Sequence, residues 1–208
     1  METSNMKRKI KPSVLLTLIF SGIFLCCSTA SLAVDYGFKL VANQSAIESE
    51  FEAVIPSFNS TITAGAGGVY QSDDYKIGYA KALLGNDIFI RGLKGGLGLK
   101  GAVGEAEKGY RKDDIGNLGF TGAISYDLSK ELGNDFPVTL MSSLFVSPEP
   151  LCFEDTDGFF EFLAEADWKV LEQAAVVVSY RYINIEFDHY SDWKKIDSTG
   201  YLGLKLFF

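Results

Sequence analysis

The segment Gly200-Tyr201-Leu202-Gly203-Leu204-Lys205-Leu206-Phe207-Phe208 is the most informative part of the sequence about the fold. In an extended strand, alternate side chains share a face. One face of this stretch is wholly apolar and consists of Leu202, Leu204, Leu206 and Phe208. A membrane barrel must close with a strand whose outer face contacts lipid. We therefore interpret the segment as a closing strand that pairs with residues 35–42. We interpret its apolar face as the signal that the barrel-assembly machinery recognises, with Phe208 as the main recognition residue.

Short alternating segments separated by Gly, Asn, Asp, Ser and Pro fill the chain upstream of this stretch. Such segments are typical of antiparallel strands. The fold class that they predict is all-β, an antiparallel up-and-down transmembrane β-barrel of about ten strands. The predicted strands cover residues 35–42, 46–55, 61–71, 75–84, 88–102, 118–128, 137–146, 159–170, 174–187 and 200–208.

The first 33 residues have the three parts of a secretory signal peptide. Lys7, Arg8, Lys9 and Lys11 form a basic segment, residues 13–27 are almost wholly apolar, and Ser31-Leu32-Ala33 offers small residues for cleavage after Ala33. An apolar run of about 15 residues is shorter than the roughly 20 that a membrane-spanning helix needs. We expect residues 1–33 to be the signal peptide and residues 34–208 to be the barrel domain.

The domain that remains is acidic. Its 175 residues carry 15 Lys and Arg against 26 Asp and Glu, a formal charge of −11. Nucleic acids bind basic surfaces, so this charge excludes a nucleic-acid partner. Cys152 is the one cysteine left after cleavage, and it has no partner for an intramolecular disulfide.

Charged residues alternate with apolar ones inside several predicted strands. A barrel in a membrane turns such charges toward its lumen, where opposite charges can pair. We therefore predict a lumen charge cluster in which Arg181 bridges to Glu165 or Asp167. The acidic residues would favour cations if water passes through the lumen. The predicted cluster consists of Glu48, Glu50, Glu52, Glu161, Glu165, Asp167, Lys169 and Arg181.

Long, charged connections are expected at residues 104–117, 147–158 and 188–198, on the outer side of the membrane. Two acidic segments in or next to these connections, Asp113-Asp114 and Asp155-Thr156-Asp157-Gly158, suit bridging through a divalent cation to lipopolysaccharide. The expected partners of the chain are therefore outer-membrane lipid and lipopolysaccharide.

Three segments together resemble the YfaZ-type family of outer-membrane proteins: Tyr180-Arg181-Tyr182-Ile183-Asn184, Ser147-Pro148 and Gly200-Tyr201-Leu202-Gly203. The resemblance is strongest from about Phe145 to the end of the sequence. It implies a cleaved signal peptide and a small all-β barrel, with no established activity. The charged segments 105–114 and 188–197, and the acidic run Glu48-Glu50-Glu52, depart from the family pattern.

Two motifs that suggest catalysis have weak support. Gly96-Leu97-Gly98-Leu99-Lys100-Gly101 has the spacing of a dinucleotide-binding turn, but no amphipathic helix follows it. His189 lies beside Asp188, yet neighbouring residues on an extended segment point to opposite faces. We predict no catalytic residue, no cofactor and no metal site.

The leading interpretation is an integral outer-membrane β-barrel that has a structural role or forms a narrow, cation-favouring passage for small solutes, as a small porin would. One alternative is a soluble periplasmic β-barrel that binds an apolar ligand. A more remote alternative is an outer-membrane barrel protease that uses Asp188 and His189.

Overall fold

A computed structural model describes residues 34–72, 74–108, 111–133, 136–187 and 194–208. Within it, Val34–Phe208 forms one compact unit. The predicted signal peptide and the Asp188–His189 pair lie outside the described residues. In the part of the chain that the structure describes, no helix is both long and apolar enough to cross a bilayer.

The described residues form eleven strands, one short α-helix and one 3-10 turn. The strands are β1 (Asp35–Ala42), β2 (Ala46–Ser57), β3 (Ser60–Gln71), β4 (Tyr75–Asp87), β5 (Leu93–Lys108), β6 (Arg111–Asp127), β7 (Val138–Ser147), β8 (Cys152–Glu154), β9 (Thr156–Leu171), β10 (Ala174–Phe187) and β11 (Lys194–Phe207). The helix α1 (Ser129–Leu132) lies between β6 and β7, and the 3-10 turn (Glu149–Leu151) precedes β8.

Ten of these strands form a closed antiparallel barrel, which confirms the predicted fold class. Each strand pairs with the next along the chain, except that β7 pairs directly with β9. The ring closes where β11 pairs with β1, from Gly37 opposite Phe207 to Ala42 opposite Leu202. The short strand β8 lies outside this succession and pairs with β6 at residues 115–117.

The barrel has an apolar outside and a partly charged inside. Leu202 and Leu204 on the outer face of β11 are 61% and 53% exposed, whereas Tyr201 on the inner face is 3% exposed. The same alternation places Phe38, Leu40 and Ala42 outward on β1 and Lys39 and Val41 inward. A soluble barrel has the opposite arrangement, so this surface suits contact with lipid.

The two ends of the barrel differ, and we name them by their contents. The terminal end holds Asp35 and Phe208 and the turns β2–β3, β4–β5, β6–β7 and β9–β10. The loop end holds the other connections. Apolar side chains fill the loop-end half of the lumen, where all are at most 7% exposed: Val69, Tyr75, Ile77, Tyr79, Ala102, Ala106, Ile115, Phe145, Phe159, Ile183, Ile185 and Phe187.

The turn between β4 and β5 lies later in the sequence than predicted. The prediction has a strand from Ile88, but β4 continues to Asp87 and β5 begins only at Leu93. Gly92 has a φ of +84°, and a Cβ atom there would lie 2.8 Å from the carbonyl oxygen of Asp127. Only glycine fits this conformation at low cost, so the turn forms at Ile88–Gly92.

The long connection predicted at residues 104–117 is largely strand, and the described part of the connection predicted at 188–198, residues 194–198, belongs to β11. β5 and β6 remain paired from Ala102 opposite Asn117 to Lys108 opposite Arg111, and β11 already begins at Lys194. Opposite charges support the extended hairpin, since Lys112 Nζ lies 2.7 Å from Glu105 Oε2. Residues 147–158 contain the 3-10 turn and β8.

Candidate functional site

A group of charged side chains crosses the middle of the lumen. Each lies on the inward face of its strand because side chains alternate along it. We define the lumen charge cluster by the residues that the structure brings together: Lys39, Glu48, Glu50, Lys81, Lys100, Glu161, Glu165 and Arg181. Four cations face four carboxylates, so the formal charges of the cluster balance.

Lys39 joins two sides of the barrel. Its Nζ atom lies 2.7 Å from Glu165 Oε2 on β9, across the lumen from β1. The same atom lies 3.2 Å from Glu48 Oε1 and 3.5 Å from Glu50 Oε2 on the adjacent β2. Because Lys39 is buried, three carboxylates replace the water that would otherwise solvate its charge.

Arg181 is the most deeply placed cation and is 2% exposed. Its Nη2 atom lies 2.9 Å from Glu48 Oε1, and its Nε atom lies 3.8 Å from Glu161 Oε1. The predicted bridge from Arg181 to Glu165 or Asp167 is therefore wrong. Those two residues are nearer the terminal end and bind lysines instead.

The remaining predicted residues lie closer to the terminal end. Lys205 Nζ lies 3.0 Å from Glu52 Oε1 and 3.6 Å from Asp167 Oδ2, and these three form a second group. Lys169 is exposed and places its Nζ atom 5.2 Å from the centre of the Phe207 ring. Glu52 and Asp167 thus pair with Lys205 and with no cation of the cluster, and Lys169 takes no part in the cluster.

Sequence reasoning missed four inward lysines, Lys39, Lys81, Lys100 and Lys205. Together with Arg181 they place five cations against the six predicted carboxylates. The formal charge of these eleven residues is −1, because the lysines offset most of the charge of the carboxylates. The sequence does indicate these lysines, because each is an even number of residues away from another inward-facing residue of its strand.

Tyr79 joins the charged cluster to the apolar half of the lumen. Its hydroxyl donates a hydrogen bond to Glu50 Oε2 at 2.8 Å, and Lys100 Nζ lies 4.3 Å from its ring centre. Gly67 makes room for this side chain, since a Cβ atom there would lie 2.7 Å from the Tyr79 hydroxyl oxygen. The Tyr79 ring therefore lies between the charge cluster and the apolar half of the lumen and contacts both.

Cys152 lies on β8, outside the ring of ten strands. Its Sγ atom is 3.4 Å from the Ser147 hydroxyl oxygen. Burial raises the pKa of the Cys152 thiol, so the thiol stays protonated at neutral pH. This favours a packing role.

The balanced charges of the cluster predict the effect of removing Arg181. Replacing it in Arg181→Met leaves Glu48 and Glu161 underpaired in a closed lumen, and we expect a loss of about 3–5 kcal/mol in unfolding free energy. The double variant Arg181→Met/Glu48→Gln restores charge balance and should be more stable than the sum of the single changes. Urea unfolding in lipid vesicles, followed by tryptophan fluorescence, measures both.

Lys112→Met is the matched control, because Lys112 pairs with Glu105 at an exposed position. It should have little effect. An Arg181→Met loss no larger than that of Lys112→Met, or an additive double variant, would show that the cluster does not act as a unit.

Comparison with known proteins identifies a family. The YfaZ precursor family matches the chain over residues 91–208, which includes β5–β11 and extends upstream of the segment where the resemblance is strongest. No curated protein and no solved structure matches the chain. The word precursor in the family description implies a cleaved leader and supports the predicted signal peptide. Because the match covers more than half of the 208 residues, the chain belongs to the YfaZ precursor family.

Proposed function

We propose that the protein is exported to the outer membrane and serves there as a closed structural barrel that gives solutes no free passage. Family membership and the ten-stranded ring fit an outer-membrane barrel protein. The apolar outer face supports the same location, because water would be a poor solvent for it. The alternative of a soluble periplasmic barrel would need this face to be covered.

The observation that carries the closed state is the filling of the lumen. The two cavities within and beside the charge cluster have volumes of ≈10 and ≈30 Å³. A single buried water needs about 10–15 Å³, so these cavities hold few waters. Toward the loop end the apolar residues follow, including Phe145 and Phe159 with ring centres 5.5 Å apart.

An ion that crosses would have to break the paired charges and then shed its hydration among apolar side chains. Both steps are costly, and apolar constrictions close pores by excluding water. A narrow, cation-favouring passage would need both layers to open. Five cations nearly balance six carboxylates, so the charge of these residues would make such a passage only weakly selective for cations.

Planar-bilayer recording separates the two roles. We expect the purified barrel to show no conductance steps in potassium chloride, because the charge cluster and the apolar half close the lumen in series. A porin inserted by the same procedure serves as the positive control. Reproducible cation-selective steps from the barrel would contradict the closed state and support the passage.

We also propose that the assembly machinery recognises the outward face of β11, formed by Leu202, Leu204, Leu206 and Phe208. The position of Phe208 supports this, since its side chain is 70% exposed and its N–H donates to the Tyr36 carbonyl oxygen at 2.9 Å. The residue therefore lies at the seam with its ring directed outward.

Deleting Phe208 should reduce the amount of assembled barrel in the membrane several-fold while the leader is still removed. Phe208→Tyr keeps the aromatic ring and is the control. Cell fractionation and immunoblotting measure both steps. Normal assembly of the deletion variant would place the recognition signal elsewhere in the chain.

A further inference from the structure

The lumen widens into a chamber between the charge cluster and the terminal end. The chamber has a volume of ≈400 Å³, within the range of roughly 300–1,000 Å³ typical of small-molecule sites. Its inner end is formed by Lys81, Lys205 and Met141, and exposed Asn86, Lys94 and Lys169 lie at its mouth. It is thus a blind pocket that opens at the end where β1 begins.

The lining of the chamber is cationic. It carries Lys81, Lys94, Lys169, Lys205, Glu52 and Asp167. Both carboxylates are engaged by Lys205, and Lys81 contacts Glu50 of the charge cluster. Lys94 and Lys169 form no ion pair with any residue in the described part of the chain. Two lysines that form no ion pair among the described residues therefore lie at the mouth.

The wall between the mouth and the inner end is partly apolar. Leu83 on β4 and Met141 on β7 line the chamber, and Val54 and Phe207 extend this apolar surface. An inorganic ion would make no apolar contact with these four side chains. A ligand that satisfies the whole lining needs an anionic head group for the lysines and a short apolar chain for the wall.

We propose that the chamber binds an anionic amphiphile with a carboxylate or phosphate head group, held at the mouth by Lys94 and Lys169. Its apolar chain lies against Leu83 and Met141. In an outer-membrane barrel the terminal end faces the periplasm, so the ligand enters from that side. This inference rests on the proposed function, because the closed lumen provides the inner end of the chamber.

Titration calorimetry on the full-length expressed protein, purified from membranes and placed in lipid nanodiscs, tests this site. The probes are hexanoate and hexylphosphonate, which distinguish a carboxylate-bearing from a phosphate-bearing ligand. Hexyltrimethylammonium has the same chain with the opposite charge, and inorganic phosphate has no chain. We expect at least one anionic amphiphile to bind about tenfold or more tightly than either comparison probe, as one charge-assisted contact allows.

Two variants test the location of the site. Lys94→Gln/Lys169→Gln should weaken binding about tenfold or more, because it removes both unpaired charges. Ala123→Trp should block binding by filling the chamber, since Ala123 lines it. Lys130→Gln is the control: Lys130 is exposed at the same end but does not line the chamber. Heat-modifiable migration on a gel verifies that each variant is folded.

Equal affinity for the cationic probe, or unchanged affinity in the double lysine variant, would overturn the inference. A Lys130→Gln loss equal to that of the double variant would do so as well, since it would indicate a general charge effect. Conductance is recorded separately. A silent barrel that binds no probe therefore contradicts this inference and leaves the closed barrel intact.

Discussion

Strands that cross a bilayer must satisfy every main-chain hydrogen bond with other strands, because lipid offers no partner. In this protein the constraint is met at the seam between β1 and β11. The N–H of Phe208 donates to the Tyr36 carbonyl oxygen at 2.9 Å, and the N–H of Tyr36 donates back to the Phe208 carbonyl oxygen at 3.3 Å. With this pairing the ring has no free edge.

Closure also decides where the side chains go. Once the ring is closed, each strand has one outward face and one face toward a lumen that ten strands leave narrow. Inward charges must then pair with one another. Lys39 on β1 reaches Glu165 on β9, and Lys100 on β5 reaches Glu161 on β9, so the ion pairs connect strands that are not neighbours in the sheet. A buried charge that loses its partner would destabilise the closed ring.

Period-two alternation made much of this predictable. The bounds of β1 and β10 agree with the predicted 35–42 and 174–187, and the same parity identified Glu48, Glu161 and Arg181 as inward residues. The partners of Arg181 were not predictable in this way. They depend on how strands stagger around the ring, and this stagger brings Glu48 of β2 next to Arg181 of β10.

The turn at Gly92 and the extended β5–β6 hairpin show the same limit at the ends of strands. The composition of a glycine-rich or a charged segment predicts a loop. Its structure depends instead on whether it pairs with a neighbouring strand. The chamber at the terminal end was also hidden from sequence reasoning. Its lysines come from four different strands, β4, β5, β9 and β11, and only closure brings them around one space.

Heat-modifiable migration on a gel shows whether the protein forms a closed barrel in the outer membrane. Boiled and unboiled samples of the outer-membrane fraction are compared on the same gel. A closed, detergent-resistant ring predicts that the unboiled protein migrates differently from the boiled protein. Identical migration of the two samples, or recovery of the protein in the carbonate-soluble fraction, would show that it is not a closed outer-membrane barrel.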